Sequence, residues 1–562
     1  MKATQLRFSV CALLLAGTAH AQGFVDISDS SGLAGIRATR PADWWVSGLH
    51  FVDLDADGDF DFFMSSHGSY GALAALNDGN GHFMLSNGTY PKTEIHVPYD
   101  IDEDGKVDLS MTYNDGGGRW WKNASTPGSL NLVATDQTRT LSRQQAMVDI
   151  NRDGKVDWLH CSSSGVQFNF GDGHGGFANN SKTLANPGSD SIAPIPADVD
   201  DDGDIDLVVQ WGRYDDENGR TRLYLNDGDM NFTNATTSAG LYEAGLAVIG
   251  VADVDQDGDA DLIGLESKAL PQSIFINDGR GHFAKKVGAI TGVPGTRANY
   301  ADWGVATSTD FDNDGTVDLV ITGRNYLHVL RGTGGGNFRY MNETWGGIEN
   351  IAEASVDNGY AFADIDGDGD LDLAGYREVW PNRYFSLYRN DLPAQNWLRV
   401  RPVGLAGNRG AAGAHVFIYA AGTNQLLSHE EIATFCKQAQ QNYYGLAKTE
   451  RHYGLGARAT VDVAVQFYPS RKRVELKGVT ANTTIEIGED GNGTVVPPTE
   501  PDEPGDGSDE EPDVPGDGGQ PTEQDPPAKS SDSGCSVGGL AGAPFGAALV
   551  ALFAGRRRRR SR

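Results

Sequence analysis

The 562-residue chain has four cysteines, and one of them, Cys11, falls in an apolar leader. Cys161 and Cys436 lie far apart in what read as separate domains, so no disulfide framework is expected and both are read as buried thiols. Positive charge is also scarce. The 45 Lys plus Arg face 77 Asp plus Glu, giving a formal net charge of -32. A surface this acidic is repelled by nucleic-acid phosphates and anionic lipid, which removes both as default ligands. Catalytic signatures are missing as well. There is no H-E-x-x-H and no P-loop, so the zinc-protease and P-loop nucleotide signatures are absent.

What is abundant is glycine, 73 residues, about twice ordinary usage, which points to many tight turns and a strand-rich chain. The length implies two to four domains. Residues 1–21 have a basic start (Lys2, Arg7), an apolar stretch and the ending Ala19-His20-Ala21, the layout of a secretory signal peptide. Residues 489–533 carry nine of the 23 prolines, 14 acids and one base, Lys529, so they read as an extended, self-repelling linker. Residues 534–562 hold Cys535, a mostly apolar run from Val537 to Gly555 and an arginine tip from Arg556. That run is long enough for a membrane anchor. The same three parts resemble the C-terminal sorting tags of bacterial surface proteins. Either reading implies a bacterial protein exported to the cell surface, the outer membrane or the exterior, touching membrane only through this tag.

The middle of the chain repeats the nonapeptide D-x-D/N-x-D-G-x-x-D seven times, at Asp53, Asp100, Asp149, Asp198, Asp253, Asp310 and Asp364, spaced by 47 to 57 residues. A hard cation such as Ca²⁺ needs six to eight oxygens, and carboxylates at positions 1, 3, 5 and 9 of a sharply turning loop can converge on one point. The candidate ligands are Asp53, Asp55, Asp57 and Asp61; Asp100, Asp102, Asp104 and Asp108; Asp149, Asn151, Asp153 and Asp157; Asp198, Asp200, Asp202 and Asp206; Asp253, Asp255, Asp257 and Asp261; Asp310, Asp312, Asp314 and Asp318; and Asp364, Asp366, Asp368 and Asp372. Thiolate and imidazole are absent from all seven loops, which disfavours zinc, so up to seven Ca²⁺ ions are expected. Asn151 removes one charge from the third site. An EF-hand would need Glu at position 12, where the chain has Met64, Met111, His160, Val209, Gly264, Ile321 and Gly375. Apolar runs follow the loops instead, so each loop is expected to join two strands.

Each repeat then continues to an N-D-G-like turn and a Phe, as in LYLNDGDMNF, which reads as a hairpin. Four short strands in about 50 residues, seven times over, predict an all-β, seven-bladed β-propeller over residues 22–393. Phe24 to Leu33 matches Phe232 to Leu241, the last strand and exit of the fourth repeat, so the N-terminal strand is expected to complete the seventh blade and close the ring.

These repeats resemble the integrin-type FG-GAP (VCBS-like) family, which implies calcium ligands at the first, third, fifth and ninth positions of each nonapeptide. Residues 394–488, with Asn396-Trp397-Leu398-Arg399-Val400, Asn408-Arg409-Gly410 and His452-Tyr453-Gly454-Leu455-Gly456, resemble the ASPIC/UnbV module that follows propellers in the cartilage acidic protein-like family. Phe467-Tyr468 and the Gln-rich stretch between Ala433 and Arg451 depart from that module's usual text. Alternation in AHVFIYA, VDVAVQF and TTIEI predicts a small antiparallel β-domain.

The propeller face opposite the acidic loops is the candidate ligand surface. It would carry Arg40, Trp44, Trp45, Arg213, Tyr214, Arg297, Tyr300, Trp303, Tyr360 and Trp380, aromatics and arginines suited to a glycan or an extracellular protein. The function expected is adhesion or binding. The alternative is a calcium-dependent polysaccharide lyase or hydrolase on the same scaffold, by fold analogy alone.

Overall fold

Seven sheets follow one another between Phe24 and Asn390, each built around one nonapeptide. The computed structural model describes residues 23–497, apart from 35–43, 69–70, 89, 114–116, 141–144, 163, 180, 186–190, 212–220, 242–245, 267–271, 294–304, 324–325, 342–358, 380–381 and 437–449. The leader and residues 498–562, with the linker, the apolar run and the arginine tip, lie outside the described residues. Among the described residues no helix is long and apolar enough to cross a membrane.

The first sheet shows the plan, with strands Trp44–Val52, Asp61–Gly68, Leu73–Asn77 and Phe83–Leu85 in sequence order and antiparallel. The acidic loop joins the first strand to the second. The second strands are buried on both faces, as in Leu319, Val320 and Ile321, which is why they read as continuous apolar runs rather than alternating ones. The first strand of the chain, Phe24–Asp26, pairs antiparallel with Asn382–Asn390 and so forms the outer strand of the seventh sheet.

Seven apolar clusters lie between neighbouring sheets. Phe62 and Phe51 of the first sheet meet Phe385 and Ile365 of the seventh, and Phe311 of the sixth meets Tyr388 of the seventh. The other five join the first to the second, the second to the third, and so on to the sixth. Because the seventh sheet packs on both the sixth and the first, the described sheets form a closed β-propeller.

Hydrogen bonds follow the same ring. The Asn that ends the third strand donates its side-chain N–H to the carbonyl two residues into the previous sheet's acidic loop: Asn123 to Leu54 at 2.8 Å, Asn277 to Val199 at 2.8 Å, Asn390 to Phe311 at 2.9 Å and Asn77 across the closure to Ile365 at 2.8 Å. Asn226 reaches Ile150 at 3.5 Å. Gly171 and Gly332 replace this Asn in the third and sixth sheets.

The C-terminal domain is two sheets around one core that includes Val400, Val416, Tyr453, Val463 and Ile485. Its pairings are antiparallel except that Asn396–Val403 runs parallel to Thr483–Gly488. The domain also extends past the expected boundary at 488. Glu489 to Gly493 turn back, with Gly491 at a positive φ of 103° that suits glycine, and Gly493–Val496 pairs with Thr483–Gly488. The acidic linker therefore begins after this strand, whose β-branched Thr494, Val495 and Val496 favour pairing.

The separate-domain reading of the two thiols also changes. Thr434–Cys436 leaves the C-terminal domain and adds a fifth strand to the third propeller sheet, against Gln145–Val148. Cys436 is thereby placed in the same sheet as Cys161, two strands away. At roughly 4.8 Å per strand that separation exceeds the span of a disulfide, so the absence of a bridge is geometric.

Asn277→Ala should cost about 1–3 kcal/mol, because it strips two buried carbonyls, those of Val199 and Ala260, of their donor. Urea unfolding checks this, and an unchanged midpoint would show that the sheets do not depend on the bond.

Candidate metal centres

All 28 residues of the seven nonapeptides singled out above lie among the described residues, and the loops share one backbone design. The residue at position 4 is left-handed throughout, with φ between 53° and 64° for Ala56, Glu103, Arg152, Asp201, Gln256 and Asn313 and with Gly367 in the seventh loop. Position 6 is a positive-φ Gly in every loop. Two left-handed residues in three reverse the chain tightly enough to aim its carboxylates inward.

The carboxylates have distinct tasks. At position 9 one oxygen accepts the N–H of the second loop residue and the other accepts the N–H at the end of the third strand. For Asp61 these donors are Leu54 at 2.7 Å and Asn77 at 2.9 Å; for Asp206 they are Val199 at 3.1 Å and Asn226 at 2.8 Å. The same pair of bonds forms at Asp108, Asp157, Asp261, Asp318 and Asp372. At position 5, one oxygen accepts the N–H two residues on, from Asp57 to Asp368. At position 1, Asp100, Asp149, Asp198, Asp253, Asp310 and Asp364 each accept the Gly N–H at position 6.

Oxygens are left over. One carboxylate oxygen in each of Asp55, Asp100, Asp102, Asp198, Asp200, Asp255, Asp259 and Asp312 is buried without a hydrogen-bond donor. Oxygens of Asp53, Asp55 and Asp57 lie within 4.8 Å of one another, as do those of Asp100, Asp102 and Asp108; Asp198, Asp200 and Asp206; Asp253, Asp255 and Asp261; and Asp310, Asp312 and Asp318. Buried carboxylates that converge with unfilled lone pairs fit a hard cation.

Burial, and then mutual repulsion, raises their pKa values. Asp61 and Asp206 are pushed up to about 9, Asp157 and Asp261 to about 8, and Asp149, Asp198 and Asp253 to about 7, in each case chiefly by loss of hydration. Asp310, Asp318 and Asp372 are raised well above the usual range.

The C-terminal domain covers this loop face, which the sequence pattern did not reveal. Val156 N–H donates to Gly407 at 2.9 Å, Tyr99 to Asn408 at 2.7 Å, and Arg471 to the Asp202 carbonyl at 2.6 Å. Asp198 N–H donates to Glu431, and His452 bonds Asn313 at 2.7 Å. Arg399 forms an ion pair with Asp364, and His429 lies 3.4 Å from Asp253. The loops of sheets two to seven are thus each held by the domain, through Tyr99, Val156, Asp198, Asp253, Asn313 and Asp364 or their neighbours.

Of the candidate ligand surface, Tyr360 has to be removed. It is 1% exposed, and its hydroxyl is 2.7 Å from Thr307 in the seam between the sixth and seventh sheets. An aromatic opening a first strand packs against its neighbour, and sequence position alone does not separate that from exposure. Trp44 and Trp45 begin the strand Trp44–Val52. Arg40, Arg213, Tyr214, Arg297, Tyr300, Trp303 and Trp380 lie outside the described residues. His82 and His282 sit exposed in their turns, each 3.4 Å from the Asp four residues before.

A closed ring of antiparallel sheets with an acidic loop in each defines a β-propeller of the repeat type found in FG-GAP proteins. The FG-GAP-like repeat model matches residues 149–209 and 310–375, and the ASPIC and UnbV model matches residues 404–494. The chain carries FG-GAP-like repeats followed by an ASPIC/UnbV domain. No curated protein matches it. Similar solved structures include an Agrocybe aegerita lectin studied for its recognition of non-reducing terminal N-acetylglucosamine, at 17% identity and TM-score 0.40, covering 74% of this chain and 96% of the lectin. Another is the V. cholerae biofilm matrix protein Bap1, at 14% identity and TM-score 0.25, covering 81% and 72%.

The raised pKa values set a pH dependence for the metal-free protein. A carboxylate whose folded pKa lies above its unfolded value contributes stability that is full at acid pH and lost as pH rises through the folded value. With Asp61, Asp157, Asp206 and Asp261 at about 8 to 9, the chain in chelator should melt lower at about pH 8 than at about pH 5. Thermal denaturation followed by circular dichroism checks the sign; a rising Tm over that window would refute it.

Proposed function

We propose that the chain is a calcium-stabilised, surface-displayed binding protein whose propeller serves adhesion to an extracellular protein or carbohydrate. The observation that carries this is the set of buried, donor-less carboxylate oxygens converging in the acidic loops. The residues that would hold the ions are the Asp and Asn at positions 1, 3, 5 and 9. A bound Ca²⁺ supplies the positive charge that lets these carboxylates stay ionised side by side. The protein's own part is to fix the loop: the ninth Asp ties its two ends to backbone N–H groups, and the Gly at position 6 turns it.

With the loop face covered by the ASPIC/UnbV domain, the opposite face is the surface open to a partner. The sequence assigns to that side, as expected partner contacts, Trp44, Trp45, Trp303 and Trp380 with Arg40, Arg213, Arg297, Tyr214 and Tyr300. The signal-like leader and the C-terminal segment would carry the molecule out and hold it at the bacterial surface, with the acidic linker as spacer.

Two measurements test this reading. Calcium should raise the Tm over that in chelator, with each site worth about 2.7 kcal/mol at one hundred times its Kd, and calorimetry should find several ions per chain. A glycan and matrix-protein array probed with calcium and with chelator should show calcium-dependent retention that Trp303→Ala weakens about tenfold or more, as loss of a central aromatic anchor does. Chain cleavage on the array would replace adhesion with the enzymatic reading.

A further inference from the structure

The residue just before the N–H that bonds the ninth Asp sits at the end of each third strand, beside the loop. In the first, third, fourth and fifth sheets it is apolar: Leu76, Phe170, Leu225 and Ile276. In the second, sixth and seventh it is basic: Lys122, Arg331 and Arg389. Two of these cations bond the loop directly. Lys122 Nζ bonds Asp102 and lies 2.9 Å from Asp104, the residues at positions 3 and 5. Arg331 repeats the arrangement on positions 3 and 5 of the sixth loop, with Nε 2.7 Å from Asp312 and Nη2 2.7 Å from Asp314. In the seventh sheet Arg389 bonds Asp391 at 2.6 Å instead, and it is Arg399 from the C-terminal domain that bonds the loop, at Asp364 in position 1.

The remaining four loops have no such partner on positions 3 and 5 among the described residues. Arg152 reaches Asp204, at position 7 of the fourth loop. In the fifth, no cation bonds Asp255 or Asp257 among the described residues, and His429 lies 3.4 Å from Asp253, at position 1.

We infer that the ring holds two kinds of loop: those of the second, sixth and seventh sheets are neutralised by a cation bonded to positions 3 and 5 or, in the seventh, to position 1, and take divalent metal weakly, whereas the first, fourth and fifth, and the third with one charge fewer, take it more tightly. The inference rests on the calcium reading above and says where in the ring that reading applies. An ammonium or guanidinium bonded to the carboxylates at positions 3 and 5, or to that at position 1 in the seventh loop, occupies oxygens a metal ion would need and repels its double charge. The built-in cation also keeps these three loops folded when calcium is scarce. That matches their placement: two are adjacent, the sixth and seventh, and the seventh forms the closure of the ring.

The test is equilibrium dialysis of the full chain against radioactive calcium, for the natural sequence and for Lys122→Leu, Arg331→Leu and Leu225→Lys. Leucine is what the first and fourth sheets already carry at this position. The natural chain should bind four ions tightly, with any others weaker by about tenfold or more. Lys122→Leu and Arg331→Leu should each add one tight ion, a gain that misfolding does not produce, and Leu225→Lys should remove one. Seven equivalent ions in the natural chain, or a tight stoichiometry that none of the three variants changes, would overturn the two-class assignment while leaving calcium binding intact. No bound calcium in any of the four proteins would instead overturn the calcium reading itself.

Discussion

The paired hydrogen bonds of the ninth-position Asp are what the rest of the molecule depends on. Each of these seven carboxylates is buried and ties the start of its loop to the end of the third strand. That one contact sets the spacing of the first three strands of a sheet and fixes the loop whose other acids converge. The same position carries a cost. A carboxylate without water around it resists ionisation, and three more acids nearby add repulsion. The sheets are therefore organised around groups that are electrostatically unstable unless a counter-charge is supplied, by an ion or by a side chain.

Much of this was legible in the residues because it is local. The nonapeptide, the Gly at position 6 and the apolar run after it specify loop and strand with no long-range information, and a match between two short segments sufficed to place Phe24–Asp26 on the seventh sheet. The N-D-G signature was legible only in part. It read as a hairpin turn, yet its Asn also locks the previous sheet, a contact that pattern cannot show because the partner is a backbone carbonyl of no particular sequence. Tyr360 illustrates the opposite failure: an aromatic at the right place in a strand was assigned to a surface although its neighbours bury it. The docking of the C-terminal domain left no trace in the pattern at all, since Tyr99, Asn313 and Gly407 carry no signature until the chain is folded.

That docking changes how the molecule divides. Two domains separated by a clear change of pattern share a face lined by the acidic loops, and a strand from the second domain joins a sheet of the first. Arg399, Arg471 and Glu431 come from the second domain to loop residues of the first. The acidic loops are therefore interface as well as candidate ion sites, and their charge state and the seating of the domain are linked.

The closing strand orders events in time. Residues 24–26 are synthesised long before their partners in the seventh sheet, residues 388–390. The last sheet consequently has no outer strand until nearly the whole propeller has been synthesised, and the N-terminal segment waits unpaired through that interval. A contact this distant in sequence is slow to form. The ring is thus a fold that registers whether its chain is complete: a product truncated before residue 388 lacks the partners of residues 24–26, so the seventh sheet stays without its outer strand.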